Sequence, residues 1–336
     1  MDGSAQQFDV ISMGRIGVDL YPLRPGVPVA RAESFGKFLG GSAANVAVAA
    51  ARLGRRAAVI TRTGADPFGT YLHDSLTECG VDDRWVTPVE GLPTPVTFCE
   101  VFPPDDSSLY FYRRPSAPDL QIHTDDLDYF AIRAARIFWI TGTGLSEEPS
   151  RSATLAALKA RGRAGTTVFD LDWRETFWAN PEDARPYYAE ALRHATVAVG
   201  DLYECEIATG VREPRACAEA LLAAGVELAV VKQGPEGVLA MRRDGTTAEV
   251  PPVPVEVAGG LGAGDAFGGA LCHGLLSGWE LEQAVRYANA ASALVASRLD
   301  CASAMPTAPE VENLLAGVPE PRTARHTDLP APRATA

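Results

Sequence analysis

Gly260-Leu261-Gly262-Ala263-Gly264-Asp265-Ala266-Phe267 decides how this chain is read, because a glycine-rich turn there delivers an acid to the start of a helix. The residues before it, Ala248 to Val257, read as an extended segment punctuated by prolines. After it, Ala266, Phe267, Ala270, Leu271 and Leu275 recur at helical spacing. Glycine lets a ligand come close to the main chain. Unpaired amides at a helix start, helped by the helix dipole, suit an anion. A carboxylate beside such a site would repel a phosphate, unless its task is to accept the proton of a hydroxyl attacking a phosphoryl group. Taken alone, the same stretch also suits a plain helix cap.

A chain of 336 residues can bury a large core, as one α/β domain with or without a small appendage. Apolar residues make up 46% and charged residues 22%, ordinary values for a globular enzyme. The net charge of −13 speaks against nucleic acid or an anionic membrane as partner. Local arginines must then hold any anionic substrate. The six cysteines include no Cys-x-x-Cys pair and the five histidines have no metal-ligand spacing. Buried thiols in a reducing compartment are expected. No leader is recognisable, and no apolar run approaches the ~20 residues that span a bilayer. The expected location is cytoplasmic.

Strand-like runs at Phe8–Met13, Ala57–Thr63, Arg136–Thr141, Thr166–Asp172, Thr196–Val199 and Leu228–Lys232 alternate with helical patterns. The helices are expected at Ser42–Leu53, with Ser42 as cap, and at Phe68–Cys79, Ser150–Ala160, Pro214–Ala224, Ala266–Leu276, Leu281–Arg298 and Pro309–Leu315. Such alternation implies a central, mostly parallel sheet with helices on both faces. Two regions break it, at about 16–38 and 94–116. The second reads as strands Val96–Phe102 and Leu109–Arg113 around the turn Pro103-Pro104-Asp105-Asp106. The Pro-, Arg- and Thr-rich tail, 319–336, has no periodicity and is expected to lack order.

A second glycine pair, Gly40-Gly41-Ser42-Ala43-Ala44-Asn45-Val46-Ala47, precedes the first long helix. Together with Gly-Ala-Gly-Asp-Ala-Phe, in this order and with this alternation between them, it resembles the ribokinase-like (PfkB) sugar kinases over roughly residues 8 to 316. No Gly-x-x-x-x-Gly-Lys-Ser/Thr loop occurs, and protein-kinase motifs are absent. The resemblance implies a ribokinase-like kinase domain over 1–318, with the two irregular segments forming a small β-sheet lid. It makes Asp265 the base and the Gly262-Ala263-Gly264 amides an anion hole for the transferred group. It sets Gly40, Gly41, Asn45 and Asp19 against the sugar hydroxyls; Asp19 follows the first strand, where ligands gather in parallel sheets.

Phe169-Asp170-Leu171-Asp172-Trp173-Arg174 and Tyr110-Phe111-Tyr112-Arg113-Arg114 each offer an arginine suited to a carboxylate. A neutral sugar has no need of one. Arg174 and Arg113 resemble the arginines with which family members hold keto-deoxy sugar acids, and the closing Ala304-Met305-Pro306-Thr307 agrees with a sugar-acid kinase of myo-inositol breakdown. A 2-dehydro-3-deoxy acid is the close rival substrate, with fructose and ribose behind it. A nucleotide- or sugar-binding regulator without catalysis is the non-enzyme alternative. The plain readings are an ordinary salt bridge for Arg174 and a solvated hairpin face for Arg113.

For the nucleotide, ATP, Lys232-Gln233-Gly234-Pro235-Glu236-Gly237 resembles the family's turn behind the phosphates and ribose, with Gly262 and Gly264 at the phosphates. Asn289 matches the family position that lies beside the adenine. Asp201-Leu202-Tyr203-Glu204 stands where the family has Asn-x-x-Glu, which implies Mg2+ held by Glu204 and Asp201 through water. The family's usual Asp-Thr is replaced by Gly259-Gly260, so a monovalent-cation site is in question. Pairing of lid strands into a homodimer is the family's habit.

Overall fold

The structure, a computed structural model, describes residues 7–24, 26–102, 106–299 and 301–317. Nine strands form one large sheet. Across it lie Thr247–Val250, Val238–Arg242, Leu228–Lys232, Val197–Asp201, Thr166–Asp170, Ile137–Thr141, Val10–Met13, Ala57–Gly64 and Val81–Val89. Pairing is parallel from Leu228–Lys232 to Val81–Val89 and antiparallel at the Thr247–Val250 edge. The buried strands read as unbroken apolar runs because both faces are covered. Val10 and Trp139 enter one core, while their neighbours Ile11 and Phe138 enter the core on the opposite face.

Sequence order across this sheet reverses at Val10–Met13, which has Ala57–Gly64 on one side and Ile137–Thr141 on the other. Ligands of open α/β sheets bind outside the carboxyl ends of strands at such a reversal. A second sheet of four strands, Phe35–Gly40, Gly17–Pro22, Val96–Phe102 and Asp106–Tyr112, stands over that point as the expected lid. The expected hairpin turn lies mostly, and the tail wholly, outside the described residues.

Two helices set the site. Ser42–Arg52 starts just after the lid strand Phe35–Gly40, and Ala263–Leu276 packs against it. A Cβ at Gly269 would lie 2.4 Å from that of Ala49, so glycine is what lets the two helices approach so closely. Ser42 is the first residue of its helix and not the cap. Gly41 holds the cap position with φ 108°, and the Ser42 hydroxyl donates to Asp172 instead.

Candidate active site

Between lid and body lies a cavity of about 170 Å³. The lid contributes Asp19, Tyr21, Thr97, Leu109 and Phe111, and the helix Ser42–Arg52 and its cap contribute Asn45 and Gly41. Asp170, Asp172, Arg174, Glu204 and Lys232 come from the ends of the body strands or just beyond them. The turn Gly260–Gly264 and Asp265 close the cavity.

The glycine turn does start a helix. Gly262 caps Ala263–Leu276 in the left-handed region at φ 81°, which places Asp265 in the first turn. The amide of Ala263 donates to Gly260 O at 3.3 Å. Those of Gly264 and Asp265 have no hydrogen-bond partner among the described residues, so these are the donors open to an anion. The ammonium of Lys232 sits beside them, 3.3 Å from where a Cβ on Gly264 would stand.

Asp265 Oδ2 accepts from Asn45 Nδ2 at 2.8 Å, and its Oδ1 is unengaged among the described residues. Burial pushes this carboxyl up to about 6, against the pull of Asn45. Asp19 is likewise pushed up to about 6 by burial, against the pull of Arg15. A Cβ on Gly40 would fall 2.0 Å from Asp19 Oδ2, so the absent side chain of Gly40 is the space this carboxylate fills.

Arg174 lines the cavity, but its Nε and Nη2 both reach Asp172 Oδ1, each at 3.0 Å. Asp172 has the rare φ of 25°, and its other oxygen accepts from Ser42 and Thr143 at 2.6 and 3.0 Å. Despite burial, Arg174 and Arg15 hold its carboxyl below the usual range. Deeper in, burial raises Asp170 and Glu204, while Lys232 stays protonated between them despite its own desolvation.

Arg113 lies elsewhere, buried in a fork with Asp119 at 2.7 and 3.3 Å and stacked over Phe177. That geometry corrects its reading as a solvated hairpin face: two of its donors meet Asp119, and the side chain lies off this cavity and lines a neighbouring hollow with Phe111 and Arg114. Asp201 and Glu204 cap one helix reciprocally, each accepting from the other's amide at 2.8 Å. Glu204 reaches the cavity and Asp201 does not. One Glu204 oxygen stays available, which fits a magnesium ion held mainly by phosphate and water oxygens.

Gly234, Gly237 and Asn289 also lie off the cavity wall. They nonetheless belong together in part: Gly237 packs on Pro251, and Asn289 donates to Pro251 O at 3.0 Å. The sequence reading gave no role to Arg15, Phe111, Asp170, Asp172 and Cys301, nor to the lid residues Tyr21, Thr97 and Leu109. For Arg15, Asp170 and Asp172 the signal was their place at or just after a strand end; Phe111 and Cys301 carried none.

Residues 7–308 match the pfkB family carbohydrate kinases. The chain belongs to that family. As an ATP-dependent sugar kinase it is similar to proteins named 5-dehydro-2-deoxygluconokinase. The one from Photobacterium profundum is 37% identical, over 89% of this chain and 92% of its own length. The one from Shouchella clausii is 34% identical, over 92% and 96%. A putative ribokinase II from E. coli, solved with ATP and Mg2+, shares the fold, with TM-score 0.84 at 23% identity over 93% of the kinase and all of that chain. No helix among the kinase's described residues is long and apolar enough to cross a membrane.

Proposed function

We propose that this kinase transfers the γ-phosphoryl group of ATP to the 6-hydroxyl of 5-dehydro-2-deoxy-D-gluconate, a step of myo-inositol breakdown in the cytoplasm. The observation that carries the reading is the Asp265 carboxylate, held by Asn45 on one oxygen and facing the cavity beside two unengaged amides. The relatives' shared name supports the substrate. Asp19 accepts from sugar hydroxyls, Gly40 and Gly41 let the sugar and Asp19 come close, and Arg174 stands on the sugar side. Asp265 takes the proton of the 6-hydroxyl as its oxygen bonds to phosphorus and ADP departs.

The Gly264 and Asp265 amides, the Gly262 turn and Lys232 receive the charge of the transferred group. Glu204, with Asp201 reached only through water, would hold the nucleotide's magnesium ion, which would supply neutralisation of phosphate charge. The Gly234–Gly237 turn and Asn289, joined at Pro251, form the nucleotide side. The lid excludes water from the reaction. Its edge strand Asp106–Tyr112, with Tyr112 66% exposed, is the surface offered for a homodimer.

The test is ADP release with 5-dehydro-2-deoxygluconate, 2-dehydro-3-deoxygluconate, fructose and ribose. The first should give the highest kcat/KM. A preference for fructose or ribose would overturn the sugar-acid reading, and preference for the 2-dehydro acid would replace the substrate while keeping the mechanism.

A further inference from the structure

Arg15 follows the strand Val10–Met13, where the order of the large sheet reverses, and its side chain lines the cavity with Asp19 and Asp265. Its guanidinium makes no hydrogen bond and no ion pair among the described residues, and its Nε is buried without a partner. A guanidinium carries five N–H donors in a rigid fork, and leaving buried donors unmet costs free energy. The other two candidate arginines already have carboxylates of their own, Asp172 for Arg174 and Asp119 for Arg113.

The surroundings hold Arg15 ready. Its Cζ lies 5.3 Å from the centre of the Phe111 ring, a stacking contact with the lid. Its carbonyl accepts from Ala44 N at 3.4 Å, and the next amide, Ile16 N, donates to Asp119 Oδ2 at 3.1 Å. Asp119 is the residue that Arg113 clamps, so the buried Arg113–Asp119 pair fixes the backbone from which Arg15 projects. Phe111 and Arg113, two residues apart on the lid, thus steady the tip and the root of one side chain.

Charge points the same way. A sugar acid entering this cavity meets the carboxylates of Asp19, Asp170, Asp172, Glu204 and Asp265. Arg174 is already paired with Asp172 through Nε and Nη2, and Lys232 stands at the phosphoryl side, beside Gly264. A bound carboxylate needs a cation whose donors are still open, and a bidentate match to a planar fork supplies direction as well as charge. A neutral sugar would leave those donors unmet.

We propose that Arg15 grips the carboxylate of the substrate and selects sugar acids over neutral sugars, with Arg174 acting through Asp172 and Arg113 through Asp119. The inference rests on the sugar-acid reading above. Its test is steady-state kinetics of the full chain, wild type against Arg15→Met and Arg15→Lys. The substrates are 5-dehydro-2-deoxygluconate and the analogue with its carboxylate reduced to an alcohol.

Arg15→Met should raise KM for the acid roughly 10- to 150-fold, the loss expected for hydrogen bonds to a charged group. KM for ATP should stay close to wild type, and the acid-over-alcohol preference should collapse. Arg15→Lys should recover only part of that preference. If the Met variant keeps the wild-type preference, or loses kcat/KM equally for acid and alcohol, the assignment is overturned. Should the Met variant fail to fold by circular dichroism, the Lys variant decides on the same ratio: an unchanged preference overturns the assignment. A wild type with no preference for the acid would instead sink the sugar-acid reading itself.

Discussion

The Asn45 amide donates to the Asp265 carboxylate at 2.8 Å, joining the starts of two helices that lie 220 residues apart in the chain. Because Gly269 lets these helices pack closely, their motifs meet as one unit: Asn45 fixes one oxygen of Asp265 and leaves the other toward the cavity.

Replacing Asp265 by Asn keeps the shape and removes the proton acceptor. Turnover should fall by about two to four orders of magnitude, with ATP affinity retained. Rapid-quench turnover and nucleotide titration check it; near-normal turnover would remove Asp265 from the mechanism.

As the proposed base, Asp265 must be ionised to work, and burial places its titration at about 6. Plots of kcat/KM should therefore fall as pH drops through about 6. The Asn45 hydrogen bond favours the ionised form, so Asn45→Ala should move this acid limb to higher pH. A limb that stays in place would show that Asn45 does not tune the base.

A methyl group at residue 40 would overlap Asp19, with its Cβ 2.2 Å from Asp19 Cγ. Gly40→Ala should displace that carboxylate and raise KM for the sugar by about tenfold or more, with little change for ATP. Equal effects on both substrates would point to a general distortion.

Asp19 is 7% exposed, and its carboxyl titrates at about 6 in the fold, above its unfolded value of 3.8. Stability from this group is fully present below pH 3.8 and is lost as pH rises through about 6. Asp19→Asn, which never ionises, should therefore melt higher than wild type at pH 7.5, by up to roughly 3 kcal/mol, while binding sugar worse. The gain should shrink toward pH 4. Melting curves at the two pH values test the sign.

With Gly259-Gly260 in place of Asp-Thr, activity should depend only weakly on potassium. Rates in sodium, potassium and tetramethylammonium buffers decide it. A large potassium-specific rise would show that main-chain carbonyls suffice for a cation site.

The sequence by itself determined the strand–helix alternation, both glycine motifs and the place of Asp265 at the start of a helix, since periodicity and turn chemistry are local properties. It left out Val81–Val89, a half-exposed edge strand carrying Asp82, Asp83 and Arg84, and the polar helix Pro181–His194, which has Pro186 inside it. Only the tertiary structure decided which cations are open to a ligand. Arg113, Arg174 and Arg15 are equivalent as letters, each near a strand end. The fold set Asp119 against the first and turned Asp172, at its rare φ, toward the second, while Arg15 stayed unmatched over Phe111. Whether a charge is paired depends on residues brought together through space, and no local pattern encodes that.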